Sequence, residues 1–197
     1  MKNLANYINF IESIYNKNPY KDAGIDICHA FLLFGIILSQ KPKNILELGI
    51  GTGVGSETIL NALKYNQQEY IYDALDNLHD LGGNLSNDYI NRLKENKVNI
   101  IISDEKSYVE KCENNKYDLI ISDADHLNAG DWVEHIIRIS KNNGIIFCHD
   151  VSSEGFPSLK KYIHYVKDNS IPHYLFNSSS RQDEKCERGW LMIINKK

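Results

Sequence analysis

The chain has 197 residues, a formal net charge of -4 and four cysteines, and these features limit the classes of protein to which it can belong. The length fits one domain, residues 1–197, with enough chain for a sheet that is covered on both faces. The acidic balance and the scattered lysines argue against nucleic acid as a partner. The longest apolar run, residues 30–38, is far shorter than the ~20 residues of a membrane span. The N-terminus lacks a signal core, and the cysteines lack a CxxC or zinc-like spacing, so we expect a cytoplasmic protein.

Apolar residues recur with helical and strand periods along the chain. The predicted helices span residues 4–15, 25–40, 56–64, 88–96, 107–112, 132–140 and 158–169. The predicted strands span residues 44–50, 69–76, 98–104, 116–123, 145–150, 173–176 and 189–194. Asn143 and Gly144 are predicted to close the helix at 132–140, and polar loops are predicted at 78–87 and 178–188.

This alternation of strands and helices predicts an α/β fold with a Rossmann-like, seven-stranded, doubly wound sheet. Most strands should be parallel. The last two strands have no helix between them, so they should pair antiparallel. Residues 1–40 are then an N-terminal helical cover, and residues 41–197 are the Rossmann-like core.

Four glycines crowd the turn after the first predicted strand, at Gly49, Gly51, Gly53 and Gly55. Glycine adopts positive φ without steric cost and lets a ligand approach the main chain. A helix that begins behind such a turn is a natural nucleotide-binding corner. The spacing lacks the third glycine of the dinucleotide motif, and no Gly-Lys-Ser/Thr of a P-loop follows.

Glu47 lies two residues before the first of these glycines and completes the pattern Glu-x-Gly-x-Gly-x-Gly. This pattern resembles motif I of the class I S-adenosylmethionine (SAM)-dependent methyltransferases, and the resemblance covers about residues 40–195. It implies SAM as the cofactor, bound by Glu47, Gly49, Gly51 and Gly53. The alternative is a tight strand-to-helix turn without a ligand.

Acidic residues also end the second and third predicted strands. In folds of this kind, an acid at the end of the second strand binds the ribose hydroxyls, about 20 residues or more beyond the glycine turn. Asp76 fits this role best, and Asp73 is the competing position. Asp104 resembles the family position that contacts the adenine, with an ordinary strand-end turn as the alternative.

The fourth predicted strand ends in Asp123-Ala-Asp125-His126, and the fifth ends in His149-Asp150. Adjacent parallel strands bring such side chains together, which is the geometry that a hard cation needs. The motif resembles the metal-dependent O-methyltransferases of the macrocin and cephalosporin-biosynthesis type. The resemblance implies Asp123 and Asp150 as metal ligands, with His149 in the place of a second acid. It also implies Asp123 and His126 as catalytic residues, with His126 the general base and Asp125 its substitute.

His149 departs from the pattern, because imidazole suits softer ions such as manganese, iron or zinc better than magnesium. The requirement for a divalent ion and its identity (Mg, Mn or Fe) therefore stay open. The alternative is that Asp123 and Asp125 cap the next helix and that His149 is an ordinary strand-end residue. Asp26 and His29, in the first turn of helix 25–40, could face a substrate, but a capping Asp and a core or surface His are favoured.

The two resemblances thus imply a SAM-dependent methyltransferase that methylates a hydroxyl of a small molecule, such as a sugar or natural product. A hydroxyl has a pKa far above 7, so its attack needs a base or a Lewis acid. The alternatives are an NAD(P)-dependent oxidoreductase, disfavoured by the missing third glycine, and a non-catalytic SAM- or nucleotide-binding module. We expect neither nucleic acid nor a membrane as partner. The acceptor and the oligomeric state, including a homo-oligomer, stay open.

Overall fold

The structure is a computed structural model, and it describes residues 5, 8–9, 25–77, 86–178 and 188–196. The helices are α1 (Ile27–Gln40), α2 (Val54–Asn66), α3 (Asn87–Glu95), α4 (Glu105–Lys111), α5 (Val133–Ile139) and α6 (Lys160–Asp168). The strands are β1 (Asn44–Leu48), β2 (Ile71–Asp76), β3 (Val98–Ile102), β4 (Tyr117–Ser122), β5 (Ser140–Cys148), β6 (His173–Ser178) and β7 (Arg188–Asn195). Short 3₁₀ turns precede α5 and α6, at Ala129–Trp132 and Pro157–Leu159. Most of the predicted helix at 4–15 and most of the two predicted loops lie outside the described residues.

The seven strands form one sheet in the order β3-β2-β1-β4-β5-β7-β6. Strand β7 runs antiparallel to both of its neighbours, β5 and β6, and the other pairs are parallel. This confirms the predicted seven-stranded, mostly parallel sheet with an antiparallel C-terminal strand. Within the described ranges, no helix is long and apolar enough to cross a membrane.

Each central strand buries side chains on both faces of the sheet. Leu119 and Ile121 of β4 belong to the core that includes Leu33 of α1, whereas Ile120 packs in the opposite core with Ile136 of α5. Strands that are covered on both faces have nearly continuous apolar sequences rather than alternating ones. Helices α1 to α3 thus cover one face, and α4 to α6 cover the other.

Helix α2 begins at Val54, two residues earlier than predicted. The backbone N–H of Gly53 donates to the carbonyl of Ile50 at 2.8 Å, which closes a tight turn directly after β1. Ile50 therefore lies outside β1, and Gly55 lies inside the helix rather than in the turn. The predicted positions were wrong here because the turn needs only three glycines.

Strand β5 begins at Ser140, so the prediction that Asn143 and Gly144 close the preceding helix was wrong. The side-chain amide of Asn195 donates to the carbonyls of Ile137 and Ser140, both at 3.0 Å, and so satisfies groups at the end of α5. A register shift between β4 and β5 accommodates the extra residues. A residue more than fifty positions away in sequence therefore supplies hydrogen bonds at the end of this helix.

Candidate active site

The glycine turn joins β1 to α2 at the carboxyl edge of the sheet. Gly49, Gly51 and Gly53 have φ values of 91°, 51° and 82°, a region that favours glycine. Gly53 is the N-cap of α2 and has no side chain to satisfy the N–H groups of the first turn. The backbone of the turn is partly exposed at Gly49 and Gly51, where a ligand can approach it closely.

Asp76, at the end of β2, lies directly beside this turn. Its Oδ2 accepts hydrogen bonds from the backbone N–H groups of Ile50 at 3.0 Å and Gly51 at 3.3 Å. Asp73, the competing position, points elsewhere and accepts hydrogen bonds from Tyr117 at 2.6 Å and Lys116 at 3.0 Å. The structure thus brings Asp76, but not Asp73, to the candidate cofactor site.

Glu47 lies behind the glycine turn rather than at its surface. Its side chain is buried, and Oε2 accepts hydrogen bonds from Ser56 at 2.6 Å and from the Tyr72 hydroxyl. Burial raises the pKa of Glu47 to about 8, although the hydrogen bonds from Ser56 and Tyr72 oppose this shift. Glu47 therefore holds the turn from within, as a carboxyl group that is largely protonated at neutral pH.

Tyr89 and Asp104 each contact the start of a helix at this edge of the sheet. The hydroxyl of Tyr89, from α3, donates to the carbonyl of Gly53 at 3.1 Å, so the ring covers the start of α2. No pattern in the sequence predicts this contact. Asp104 is the N-cap of α4, and its Oδ1 accepts a hydrogen bond from the backbone N–H of Ser107 at 2.8 Å.

The glycine turn contacts the backbone of Asp123, which directly follows β4. A Cβ atom at Gly49 would lie 2.3 Å from the carbonyl oxygen of Asp123. The N–H of Asp123 in turn donates to the carbonyl of Leu48 at 2.9 Å. Asp123, at the end of β4, therefore lies next to the glycine turn.

Asp123, His126 and Asp150 converge at this edge of the sheet. Nε2 of His126 lies 3.2 Å from Oδ1 of Asp123 and 3.3 Å from Oδ2 of Asp150. Donor atoms of the three side chains all lie within 4.8 Å of one another. The left-handed backbone of Asp150 (φ 57°) is a conformation that aspartate adopts more readily than most residues. Two carboxylates with one imidazole nitrogen between them form a position for a single positive charge.

His126 itself supplies that charge. Burial opposes protonation of the ring, but the carboxylates of Asp123 and Asp150 outweigh burial and raise the pKa of His126 to about 10. The ring also packs against Phe156, with centroids 4.7 Å apart. At neutral pH, the imidazole is therefore charged and bridges the two carboxylates.

His149 approaches Asp123 from the other side. Its Nδ1 lies 3.0 Å from Oδ1 of Asp123 and 3.6 Å from Oδ1 of Asp150. Burial opposes protonation of His149, but the charge of Asp123 raises its pKa. A donor atom of His149 also lies within 4.8 Å of donor atoms of Asp26 and His29. The role of His149 as a metal ligand beside Asp123 and Asp150 stays a prediction. Arg188, which the sequence did not single out, lies 3.4 Å from Asp150.

Asp125, the predicted substitute for His126, has a structural role. Its Oδ1 accepts hydrogen bonds from the backbone N–H groups of Leu127 at 3.1 Å and Asn128 at 3.0 Å. Its own N–H donates to the buried Glu105 at 3.0 Å. The side chain therefore stabilises the turn after β4, as the capping alternative predicts for this residue.

The site thus combines a glycine turn before a helix and an acid at the end of β2 with a histidine held between two carboxylates. The sheet order, with its antiparallel seventh strand, is that of the class I methyltransferases. The sequence agrees, since residues 46–151 match the family model described as a methyltransferase domain. The match spans more than half of the chain, which therefore belongs to this family of methyltransferase domains. No curated protein matches the chain in sequence.

Solved structures of methyltransferases share the fold at low sequence identity. An O-methyltransferase from Bacillus cereus, in complex with S-adenosylhomocysteine (SAH), has 14% identity and a TM-score of 0.70, over 93% of this chain and 90% of that chain. The O-methyltransferase TomG from Streptomyces achromogenes, involved in tomaymycin synthesis and in complex with SAM, has 12% identity and a TM-score of 0.73, over 96% and 89%. The SAH-bound methyltransferase PaMTH1 from Podospora anserina has 17% identity and a TM-score of 0.68, over 96% and 87%.

Proposed function

We propose that this protein is a SAM-dependent O-methyltransferase that methylates a hydroxyl of a small molecule, such as a sugar or natural product. The observation that carries the proposal is the position of His126, held between Asp123 and Asp150 beside the glycine turn. The complexes of the structural relatives with SAM or SAH support the choice of cofactor. The family match favours this function over an NAD(P)-dependent oxidoreductase.

We assign cofactor binding to the glycine turn and the acids around it. The partly exposed backbone at Gly49 and Gly51 would face the cofactor, and Asp76 would accept hydrogen bonds from the ribose hydroxyls. Asp76 would then exchange its present bonds to the turn for bonds to the ligand. Glu47 supports the turn from behind, and Asp104 remains the candidate for the adenine side. Bound SAM would supply an activated methyl group, which the acceptor oxygen takes as SAH leaves.

We assign the proton transfer to His126. The base must be neutral to accept the hydroxyl proton, yet Asp123 and Asp150 hold the ring in its charged form. Activity therefore requires that something other than the His126 proton balance these two carboxylates. Two carboxylates aimed at one point suit a divalent cation such as Mg, Mn or Fe, which would also lower the pKa of an acceptor hydroxyl. His149, hydrogen-bonded to Asp123, would orient that carboxylate.

Two measurements test the proposal. Calorimetry should show binding of SAM and SAH but not of NADH, and Gly51→Val should abolish it, because a β-branched residue does not tolerate the φ of 51°. Extracted metabolites incubated with methyl-labelled SAM should then yield a labelled methyl ether. Chelation should stop this transfer and leave SAM affinity largely intact. Binding of SAM without single-turnover transfer would instead indicate a non-catalytic module.

A further inference from the structure

A second group of metal-binding side chains lies beside the candidate active site, where helix α1 begins. Asp26, His29 and His149 each offer one donor atom, and these atoms all lie within 4.8 Å of one another. The three residues are only 1%, 2% and 2% exposed. The proposed methyl transfer uses neither Asp26 nor His29.

Asp26 precedes α1 at the position where an aspartate usually accepts a hydrogen bond from the first helical turn. Its side chain makes no such capping bond. Its Oδ2 lies instead 3.6 Å from Nδ1 of His29, which is three residues further along. Two ligands of one tetrahedral ion, with bonds of about 2.0–2.2 Å, lie at roughly this separation. The start of α1 therefore presents a carboxylate and an imidazole to one point.

His149 completes this group from the end of β5. Its Nδ1 is 3.0 Å from Oδ1 of Asp123, whereas its Nε2 is buried and has no hydrogen-bond partner in the part of the chain that the structure describes. A metal-bound histidine almost always donates its other ring N–H to a carboxylate, a carbonyl or water. The contact with Asp123 matches that arrangement and leaves Nε2 as the ligand atom.

Trp190 of β7 closes the group on one side. Its ring lies 4.8 Å from that of His29 and 5.4 Å from that of His149, measured between centroids, and Trp190 is fully buried. The indole holds both imidazoles in place and excludes water from them. An apolar wall around metal ligands fixes their orientation and limits solvent access.

We propose that Asp26, His29 and His149 bind one divalent transition-metal ion, which ties the start of α1 to the end of β5. Two imidazoles and one carboxylate suit zinc, iron(II) or cobalt(II) rather than magnesium or calcium. The ion fixes His149 in the tautomer that donates Nδ1–H to Asp123. His149 is then a positioning residue for Asp123. This site does not depend on the proposed methyl transfer or on a cation between Asp123 and Asp150.

Cobalt(II) is the probe, because its visible bands change in position and intensity when protein ligands replace water. Metal-free wild-type protein is titrated with cobalt(II) in excess magnesium, which occupies oxygen-ligand sites. We expect one equivalent to bind with visible bands. His29→Ala and Asp26→Asn should each weaken binding by more than about 100-fold, since even outer-shell partners contribute about 10- to 100-fold. His164→Ala, which removes an exposed imidazole from α6, should leave binding unchanged.

A second measurement needs no variant. X-ray absorption of the zinc-loaded wild-type protein should show two imidazole ligands at about 2.0–2.1 Å. The proposal is overturned if no cobalt(II) binds in excess magnesium, if His29→Ala retains wild-type affinity and bands, or if the zinc shell lacks imidazole. SAM calorimetry on the same samples separates the two proposals. A wild-type protein that does not bind SAM would contradict the proposed function and leave the metal site unaffected.

Discussion

A Cβ atom at Gly55 would lie 2.4 Å from Oε1 of Glu47. The first turn of α2 can therefore pack on the end of β1 only because position 55 has no side chain. The carboxyl group of Glu47 fills the space instead and accepts a hydrogen bond from Ser56 in the same turn. This contact sets the position of the helix start on which the candidate cofactor site depends.

Gly55→Ala should destabilise the protein, although alanine is normally the better helix former by about 1 kcal/mol. The buried Glu47 carboxyl has nowhere to move without losing its hydrogen bonds. Gly35→Ala, inside α1, is the matched control, because nothing lies within 4 Å of a Cβ atom there. The control should gain up to about 1 kcal/mol in urea unfolding. Stabilisation by both substitutions would contradict the close fit of Glu47 and Gly55.

Glu47 should also make stability depend on pH. Its pKa is about 8 in the folded protein against an ordinary value of 4.5, so the folded state keeps a proton that the unfolded state releases. Between these two values, the contribution of Glu47 to the free energy of unfolding falls as pH rises, with a limiting slope of about 1.4 kcal/mol per pH unit. Below pH 4.5 that contribution is fully present.

Glu47→Gln should remove this decline, so its stability relative to wild type should increase from about pH 5 to pH 8. Urea unfolding at several pH values measures the difference. Glu95→Gln, at the exposed end of α3, controls for the loss of a surface carboxylate. A difference between Glu47→Gln and wild type that stays constant over this window would show that the Glu47 carboxyl is not held protonated.

Asp76 and Asp73 should respond differently to the same substitution. Asp76→Asn should weaken SAM binding by about 10- to 100-fold, the usual cost of losing hydrogen bonds to a charged acceptor. Asp73→Asn should lower stability instead, because Lys116 and Tyr117 lose their carboxylate partner. Calorimetry and thermal unfolding of both variants measure the two effects. Weakened SAM binding in Asp73→Asn, with normal binding in Asp76→Asn, would reverse the assignment.

His126→Ala should lower the methyl-transfer rate by about 10²- to 10⁴-fold, the range of a positioned general base, while SAM affinity is retained. Asp125→Asn is the control, because asparagine keeps the oxygen that accepts from Leu127 and Asn128 but cannot serve as a base. Its rate should stay near that of wild type. If Asp125→Asn loses activity and His126→Ala keeps it, the general base is Asp125 and not His126.

The pH profile adds a readout for the same residue. Without a cation, the pKa of His126 is about 10, so any residual rate should rise with pH up to that value. An added divalent ion should move this limb to lower pH, because the two carboxylates no longer stabilise the ring proton. His126→Ala should lack the limb in both conditions. If the pH dependence of the rate is the same with and without the divalent ion, Asp123 and Asp150 are not the ligands of that ion.

The sequence predicted the sheet and the glycine turn because both depend on local patterns. Continuous apolar runs indicate strands that are buried on both faces, and glycines at alternate positions indicate a turn with positive φ. Asp76, Asp123 and Asp150 each come at the end of a predicted strand, so the sequence also predicted that they lie at the same edge of the sheet. Helix bounds near Val54 and Ser140 were missed, since they depend on a turn geometry and on the distant Asn195.

The partners of each candidate residue were decided only by tertiary structure. The sequence could not show that Asp73 meets Tyr117 and Lys116, because those contacts join strands that lie more than forty residues apart. Nor could it show that Asp26, an apparent helix cap, makes no capping bond and lies with His29 beside His149. Local sequence fixes the conformation of a turn or strand, whereas the charge and ligand set of a buried group depend on which distant side chains pack against it.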